Sequence, residues 1–137
     1  MKYLMVALAF VSAFVACSKP KQQPQPLKPL AIRRLLPQEF AQMVRDTHTF
    51  VVNVEPSPKG EIPGTKLVLS NKAFDSLRVV QPDMTRPIAL YCEKDTPSDS
   101  LAAQLARAGY ASVCFLGGGY RSWIDEGLPF RLYNSGK

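Results

Sequence analysis

From Leu30 onward, short apolar runs alternate with segments of helical period, and their order predicts β, α, β, β, α, β, α, β, α. Residues 32–36 form the first expected strand. Pro37 fits the first turn of a helix whose Phe40, Met43 and Val44 share one face. Residues 50–54, rich in β-branched side chains, form the next strand. Residues 55–66 hold Pro56, Pro58, Gly60, Pro63 and Gly64 and are expected as loop, with a short strand at 67–69 behind them. Asn71 is placed to cap a brief helix carrying Phe74 and Leu77. Residues 88–91 read as a buried strand that runs directly into Cys92, and 93–97 as a polar loop. Ser98 and Asp99 are good N-cap types for the following helix. Leu101, Ala102, Leu105 and Ala108 form its apolar stripe, and Gly109 closes it in the left-handed region. Residues 113–116 are the last strand. Gly117-Gly118-Gly119 turns into a final helix containing Trp123, which ends at Gly127-Leu128-Pro129. This alternation predicts an α/β fold, a small, largely parallel five-stranded sheet flanked by helices.

The first thirty residues follow a different pattern. Lys2 supplies one positive charge, residues 3–16 are apolar except for Ser12, and the run ends at Ala16-Cys17 before Ser18-Lys19-Pro20-Lys21. That is the grammar of a secretory signal peptide over residues 1–16. The apolar run is shorter than the roughly 20 residues that span a bilayer, which favours a cleaved leader over a retained helix. Phe14-Val15-Ala16-Cys17 resembles a bacterial lipobox, with Phe14 where Leu is usual. The resemblance implies that Cys17 is lipidated and heads the mature chain; in a plain secretory peptide Cys17 would be incidental. Residues 17–29 then read as the lipidated Cys17 and a tether with Pro20, Pro24, Pro26 and Pro29. In the extended polyproline form, at about 3.1 Å per residue, a dozen residues hold a domain roughly 35 Å from the membrane. The folded domain is expected over 30–132, with 133–137 as a tail.

Composition refines this picture. A chain of 137 residues with 46% hydrophobic and 20% charged residues supports one globular domain and is too short for two. The net charge of +6 becomes +5 once residues 1–16 are removed, with 16 basic side chains against 11 acidic. Only Arg33 and Arg34 are adjacent, so the charge reads as solvated surface, and nucleic acid is not an expected partner. Three cysteines, Cys17, Cys92 and Cys114, build neither a disulfide scaffold nor a zinc site, and no metal or cofactor is expected. The single histidine, His48, precedes the second strand, away from Cys92, which excludes a Cys-His protease pair.

Cys92 carries the candidate chemistry. A cysteine at the C-terminal end of a parallel strand, before a helix N-terminus, sits where α/β folds bind anions, and a thiolate is such an anion. Such a thiol can be nucleophilic at neutral pH, whereas the same residue packed in apolar surroundings is inert, and local pattern leaves both open. Cys114, inside the last strand, reads as a core thiol.

The ordered landmarks around these cysteines resemble the rhodanese family over most of the chain from Leu35 to Phe130. Phe50-Val51-Val52-Asn53-Val54-Glu55 is similar to the strand that ends in Asp-Val-Arg, and Gly60-Glu61-Ile62-Pro63-Gly64-Thr65 to Gly-His-Ile-Pro-Gly-Ala. Residues 88–98 match the strand, cysteine and active-site loop. Gly109-Tyr110, Val113, Leu116-Gly117-Gly118, Trp123 and Gly127-Leu128-Pro129 match the C-terminal signature. The resemblance implies a cysteine that accepts sulfane sulfur, holds it as a persulfide and passes it to a thiophilic acceptor, cradled by loop N–H groups. On that basis Cys92 is the candidate catalytic residue and Glu93, Lys94, Asp95, Thr96, Pro97 and Ser98 form the substrate-binding loop.

The loop departs from the family's Cys-x-x-Gly-x-Arg-Ser at two places. Asp95 replaces the glycine, and Pro97 replaces the arginine and removes an N–H. Glu93 and Asp95 add negative charge beside the thiol, opposed by Lys94. Asn53, Glu55 and Glu61 also differ from the family pattern. Phosphatase chemistry of the same fold is excluded, because the next arginine is Arg107, far down the helix. Family topology sets the Cys114 strand beside the Cys92 strand, with Cys92 about two residues further on. An offset of about 7 Å between strands about 4.8 Å apart is outside disulfide reach.

Two main functional expectations follow, with a third beside them. One is an envelope lipoprotein, anchored to a bacterial membrane with its domain outside the cytoplasm, acting as a sulfane-sulfur carrier or weak sulfurtransferase through a Cys92 persulfide. Its partners are then a small sulfur-containing anion or a thiol acceptor, and the chain is expected as a monomer. The other is a catalytically inactive binding or scaffold module with an idle Cys92; a redox partner forming mixed disulfides through Cys92 is a lesser third.

Overall fold

The computed structural model describes residues 32–69 and 73–134. The leader, Cys17, the tether, the Asn71 cap and residues 135–137 lie outside the described residues. Five parallel strands, β1 (Arg33–Leu35), β2 (Phe50–Asn53), β4 (Leu67–Val68), β5 (Ile88–Tyr91) and β6 (Val113–Leu116), form one sheet in the order β1-β6-β5-β2-β4. Four helices, α1 (Pro37–Arg45), α2 (Ala73–Val80), α3 (Asp95–Ala108) and α4 (Gly119–Asp125), connect them. The expected α/β sheet is present, with the Cys92 strand at its centre.

Strand residues alternate between two cores because successive side chains point to opposite faces. Val52, Leu90, Cys92 and Phe115 meet Leu77 of α2 and Leu101 and Leu105 of α3 on one face. Val51, Ala89, Tyr91, Cys114 and Leu116 meet Phe40 of α1 and Tyr120 and Trp123 of α4 on the other. Phe40 packs edge-on to both Tyr91 and Trp123, with ring centroids 6.2 Å apart in each pair. Both faces are covered, so the central strands read as unbroken apolar runs.

Local signals explain the helix ends. Pro37 opens α1, and the Leu36 N–H is accepted by the Glu39 carboxylate at 2.9 Å. Gly109 closes α3 at φ 105°, the left-handed end expected of it.

Two features differ from the sequence expectation. Gly60–Glu61, inside the expected loop, is strand β3 and pairs antiparallel with β7 (Arg131–Leu132) in a separate two-stranded ribbon. Glu61 anchors this ribbon through an ion pair to Arg131 and by accepting from the Tyr133 hydroxyl at 2.8 Å. The second difference concerns α3, which starts at Asp95 with Lys94 as N-cap, four residues before the expected cap Ser98. Pro97 does not delay it, because the first N–H groups of a helix have no intrahelical partner to lose.

Candidate active site

Parallel strands end on the same edge of the sheet, so β5, β2 and β6 deliver Cys92, Glu55 and the Gly117-Gly118-Gly119 turn to one place. The chain leaving β5 is clamped on both sides. Val54 N–H donates to Tyr91 O, and Tyr120 N–H to Cys92 O, each at 2.8 Å. Gly119 makes the second clamp possible: at φ 65° it lies so close to the Cys92 and Glu93 carbonyls that an added Cβ would overlap both.

The Cys92 side chain is fully buried. Its thiol donates to the Lys94 carbonyl, and the buried Ser98 hydroxyl donates to Sγ at 3.0 Å. Burial pushes the thiol pKa up; hydrogen bonds from the Ser98 side chain and at the Ser98 and Lys94 backbones pull it down, and the Glu55 charge adds to the rise. The net direction is upward, towards the protonated thiol.

The six predicted loop residues divide between roles. Ser98 touches the sulfur directly. Glu93, Lys94, Thr96 and Pro97 line an open groove of about 320 Å³ together with Glu55 and Pro56. Asp95 faces away: its carboxylate accepts from Arg34 Nη2 at 2.8 Å and from the Gly118 N–H. Because α3 begins at Asp95, the loop proper is reduced to Glu93 and Lys94.

Two partners had no local signal in the sequence. Arg34 reaches Asp95 from β1, and Glu55 accepts the Glu93 N–H at 3.0 Å. Arg121 is exposed and engages Glu93 at 2.7 Å, and that pairing holds the Glu93 carboxyl below its usual range. Asn53 and Glu61, the other departures from the family pattern, hold backbone and ribbon. Asn53 Nδ2 donates to Gly60 O at 3.2 Å, and Glu61 anchors β3 to β7.

Cys114 is a core thiol, donating to Ile88 O at 3.6 Å, with its pKa pushed up to about 11 by burial. It lies opposite Ala89, so Cys92 stands three residues further along and not two, and both cysteines are free thiols. His48 precedes β2, at the edge of the sheet opposite Cys92. Among the described residues no group of three His, Cys, Asp or Glu is arranged to hold a metal ion, and no helix is long and apolar enough to cross a membrane.

Known proteins share this architecture. The family model for the rhodanese-like domain matches residues 36–126. Thiosulfate sulfurtransferase GlpE of Pseudomonas fluorescens (strain SBW25) is 31% identical over 91 residues, 64% of this chain and 82% of that protein. The crystal structure of the Alr3790 protein from Anabaena sp. matches with a TM-score of 0.64 at 18% identity, over 73% of this chain and 82% of that one. The 30 kDa polysulfide-sulfur transferase homodimer from Wolinella succinogenes matches with a TM-score of 0.63 at 17% identity, over 76% and 81%. The two structures share the fold, and sulfur transfer is represented among the relatives. The family model covers well over half of the chain, and the relative is matched over most of its length; the chain belongs to the rhodanese-like domain family.

Proposed function

We propose that this chain is a sulfane-sulfur carrier or weak sulfurtransferase that works through a persulfide on Cys92. The observation that carries the reading is the position of Cys92, at the end of the central parallel strand and six residues before a hydroxyl that donates to its sulfur. In the first step the Cys92 thiolate attacks the outer sulfur of a donor. The donor's S–S bond breaks, and its electron pair leaves on the remainder of the donor. In the second, an acceptor thiolate attacks the outer persulfide sulfur and returns Cys92 as thiolate. The raised thiol pKa makes the thiolate scarce at neutral pH, which fits slow turnover better than fast.

Mass spectrometry of the purified protein after incubation with thiosulfate or a polysulfide tests this reading. A one-sulfur addition at Cys92 is expected, absent in Cys92→Ser; no addition with any donor would overturn it.

A second reading, a non-catalytic binding or scaffold module, has one observation in its favour: the thiol is fully buried and hydrogen-bonded to the Lys94 carbonyl. It predicts that Cys92→Ser changes no sulfur-dependent property.

The same proposal includes place. Residues 1–16 serve as the leader, Cys17 carries lipid, and residues 18–29 tether the domain outside the cytoplasm at a bacterial membrane, where it acts as a monomer on a small sulfur anion or a thiol acceptor. The motivation is the apolar run and the Phe14-Val15-Ala16-Cys17 stretch. Expression in a bacterium fed labelled palmitate is expected to label the chain and not Cys17→Ser; equal labelling would remove the anchor.

A further inference from the structure

An oxyanionic sulfur donor needs N–H groups to receive the end that departs, and at this site one such N–H is already bound. Glu55 follows Val54 at the end of β2. Its own N–H donates to Asn53 Oδ1 at 3.0 Å, and the fully buried Asn53 is tied to Gly60 O, so the start of this loop is held in place. From there the Glu55 carboxylate reaches across to β5 and accepts the N–H of Glu93, the residue after Cys92. Its charge is felt at the thiol.

Two of the arginines around the loop are engaged by its own acids, while Lys59 acts on Glu93 through its charge without an ion pair. Arg121 is bound by Glu93 and Arg34 by Asp95, while Pro97 brings neither guanidinium nor N–H to the groove. Among the described residues, Lys94 is the lining cation with no carboxylate in ion-pair contact.

We infer that Glu55 sets the donor class: its carboxylate takes the seat at the Glu93 amide that an oxyanionic leaving group needs, so the site draws sulfur from thiol persulfides in preference to thiosulfate. The inference rests on the reading of Cys92 as a sulfur carrier. With thiosulfate the departing group is sulfite, carrying two charges beside the Glu55 carboxylate. With a persulfide R–S–SH, the Cys92 thiolate attacks the outer sulfur, the donor S–S bond breaks, and its electron pair leaves as R–S⁻. The S–H proton travels with the transferred sulfur. Cys92 sulfur is oxidised as the donor's inner sulfur is reduced, so no other reactant is needed.

The test compares loading of the full chain, Glu55→Gln and Glu55→Ala by glutathione persulfide and by thiosulfate, read as one-sulfur addition at Cys92 over time. Gln keeps an acceptor for the Glu93 N–H and removes the charge; Ala removes both. The parent is expected to load faster from persulfide. Removing one like charge at close range in a partly solvated groove is expected to raise thiosulfate loading about tenfold in both variants, and persulfide loading by less than about threefold. Sulfate, an oxyanion of the same charge that does not accept sulfur, is expected as a competitor to slow thiosulfate loading of Glu55→Ala and leave the parent unaffected, a change that a merely structural role for Glu55 does not produce.

Equal loading of the parent by both donors, or an unchanged donor ratio in the two variants, overturns the inference and leaves the carrier reading standing. Failure of every protein to load from either donor overturns the carrier reading, and this inference falls with it.

Discussion

Sulfur at position 92 is governed by burial, by the hydrogen bonds that reach it and by the Glu55 charge, with opposing effects. Burial and the Glu55 charge favour the neutral thiol, whereas the Ser98 hydroxyl at 3.0 Å favours the thiolate. The upward direction wins, so alkylation of Cys92 is expected to remain slow at neutral pH and to climb only as pH passes the ordinary 9.0. Ser98→Ala deletes the hydrogen bond that stabilises the charged form, which moves the midpoint further up. The rate of iodoacetamide labelling against pH, followed at Cys92 by mass spectrometry, measures both midpoints. A midpoint in Ser98→Ala at or below the parent's contradicts the role given to the hydroxyl. The same substitution leaves the neutral thiol as the main form, so its cost to stability is small, on the order of 1 kcal/mol.

The start of α3 shows how a local signal can be outweighed at the scale of an element. Pro97, Ser98 and Asp99 together read as a break followed by a cap, and nothing near Asp95 in sequence argues otherwise. What draws the helix back to Asp95 lies far along the chain: the Arg34 guanidinium and the Gly118 N–H both meet the Asp95 carboxylate. Asp95→Ala removes this clasp between α3, β1 and the β6–α4 turn. The ion pair is partly exposed and contributes little alone; with the amide contact the loss is expected at about 1–2 kcal/mol. Urea unfolding of Asp95→Ala, Arg34→Ala and the double variant checks this, since the clasp requires the two single effects to fall short of additive. Strictly additive effects would show that Arg34 and Asp95 act independently. The β3–β7 ribbon was hidden for the same reason, because Glu61 finds Arg131 and Tyr133 some seventy residues away. By contrast, β2, β5 and β6 carry their identity locally, as β-branched and apolar runs that pack on both faces, and Gly109 marks its helix end unaided. The place of Cys92 at the end of its strand was legible from strand and loop; Glu55 as a partner of the loop amide was not, because that contact exists only once β2 and β5 lie side by side.

The two cores of the whole molecule lie on opposite faces of the sheet and meet the site at one strip of backbone. Helix α4 belongs to the Phe40 face, yet its first residue, Gly119, presses on the Cys92 and Glu93 carbonyls, and its second donates an N–H to Cys92 O. A methyl group at 119 cannot be accommodated by turning a side chain, since the atoms in its way are backbone. Either α4 lifts from the sheet, loosening Tyr120 and Trp123, or the Cys92 loop shifts. Gly127 separates the two costs. It has a similar φ of 72° against 65° at Gly119, but an added Cβ there meets nothing within 4 Å. Gly127→Ala therefore carries only the left-handed backbone cost of about 1–2 kcal/mol. Gly119→Ala carries that cost and the overlap, and is expected to destabilise by about 3 kcal/mol or more. Urea denaturation compares the two directly, and iodoacetamide labelling of Cys92 in folded Gly119→Ala is expected to accelerate as the loop opens, while Gly127→Ala keeps the parent's rate. Equal losses of stability in the two variants would mean that α4 is free to move away from Cys92 and that the site is built by the loop alone.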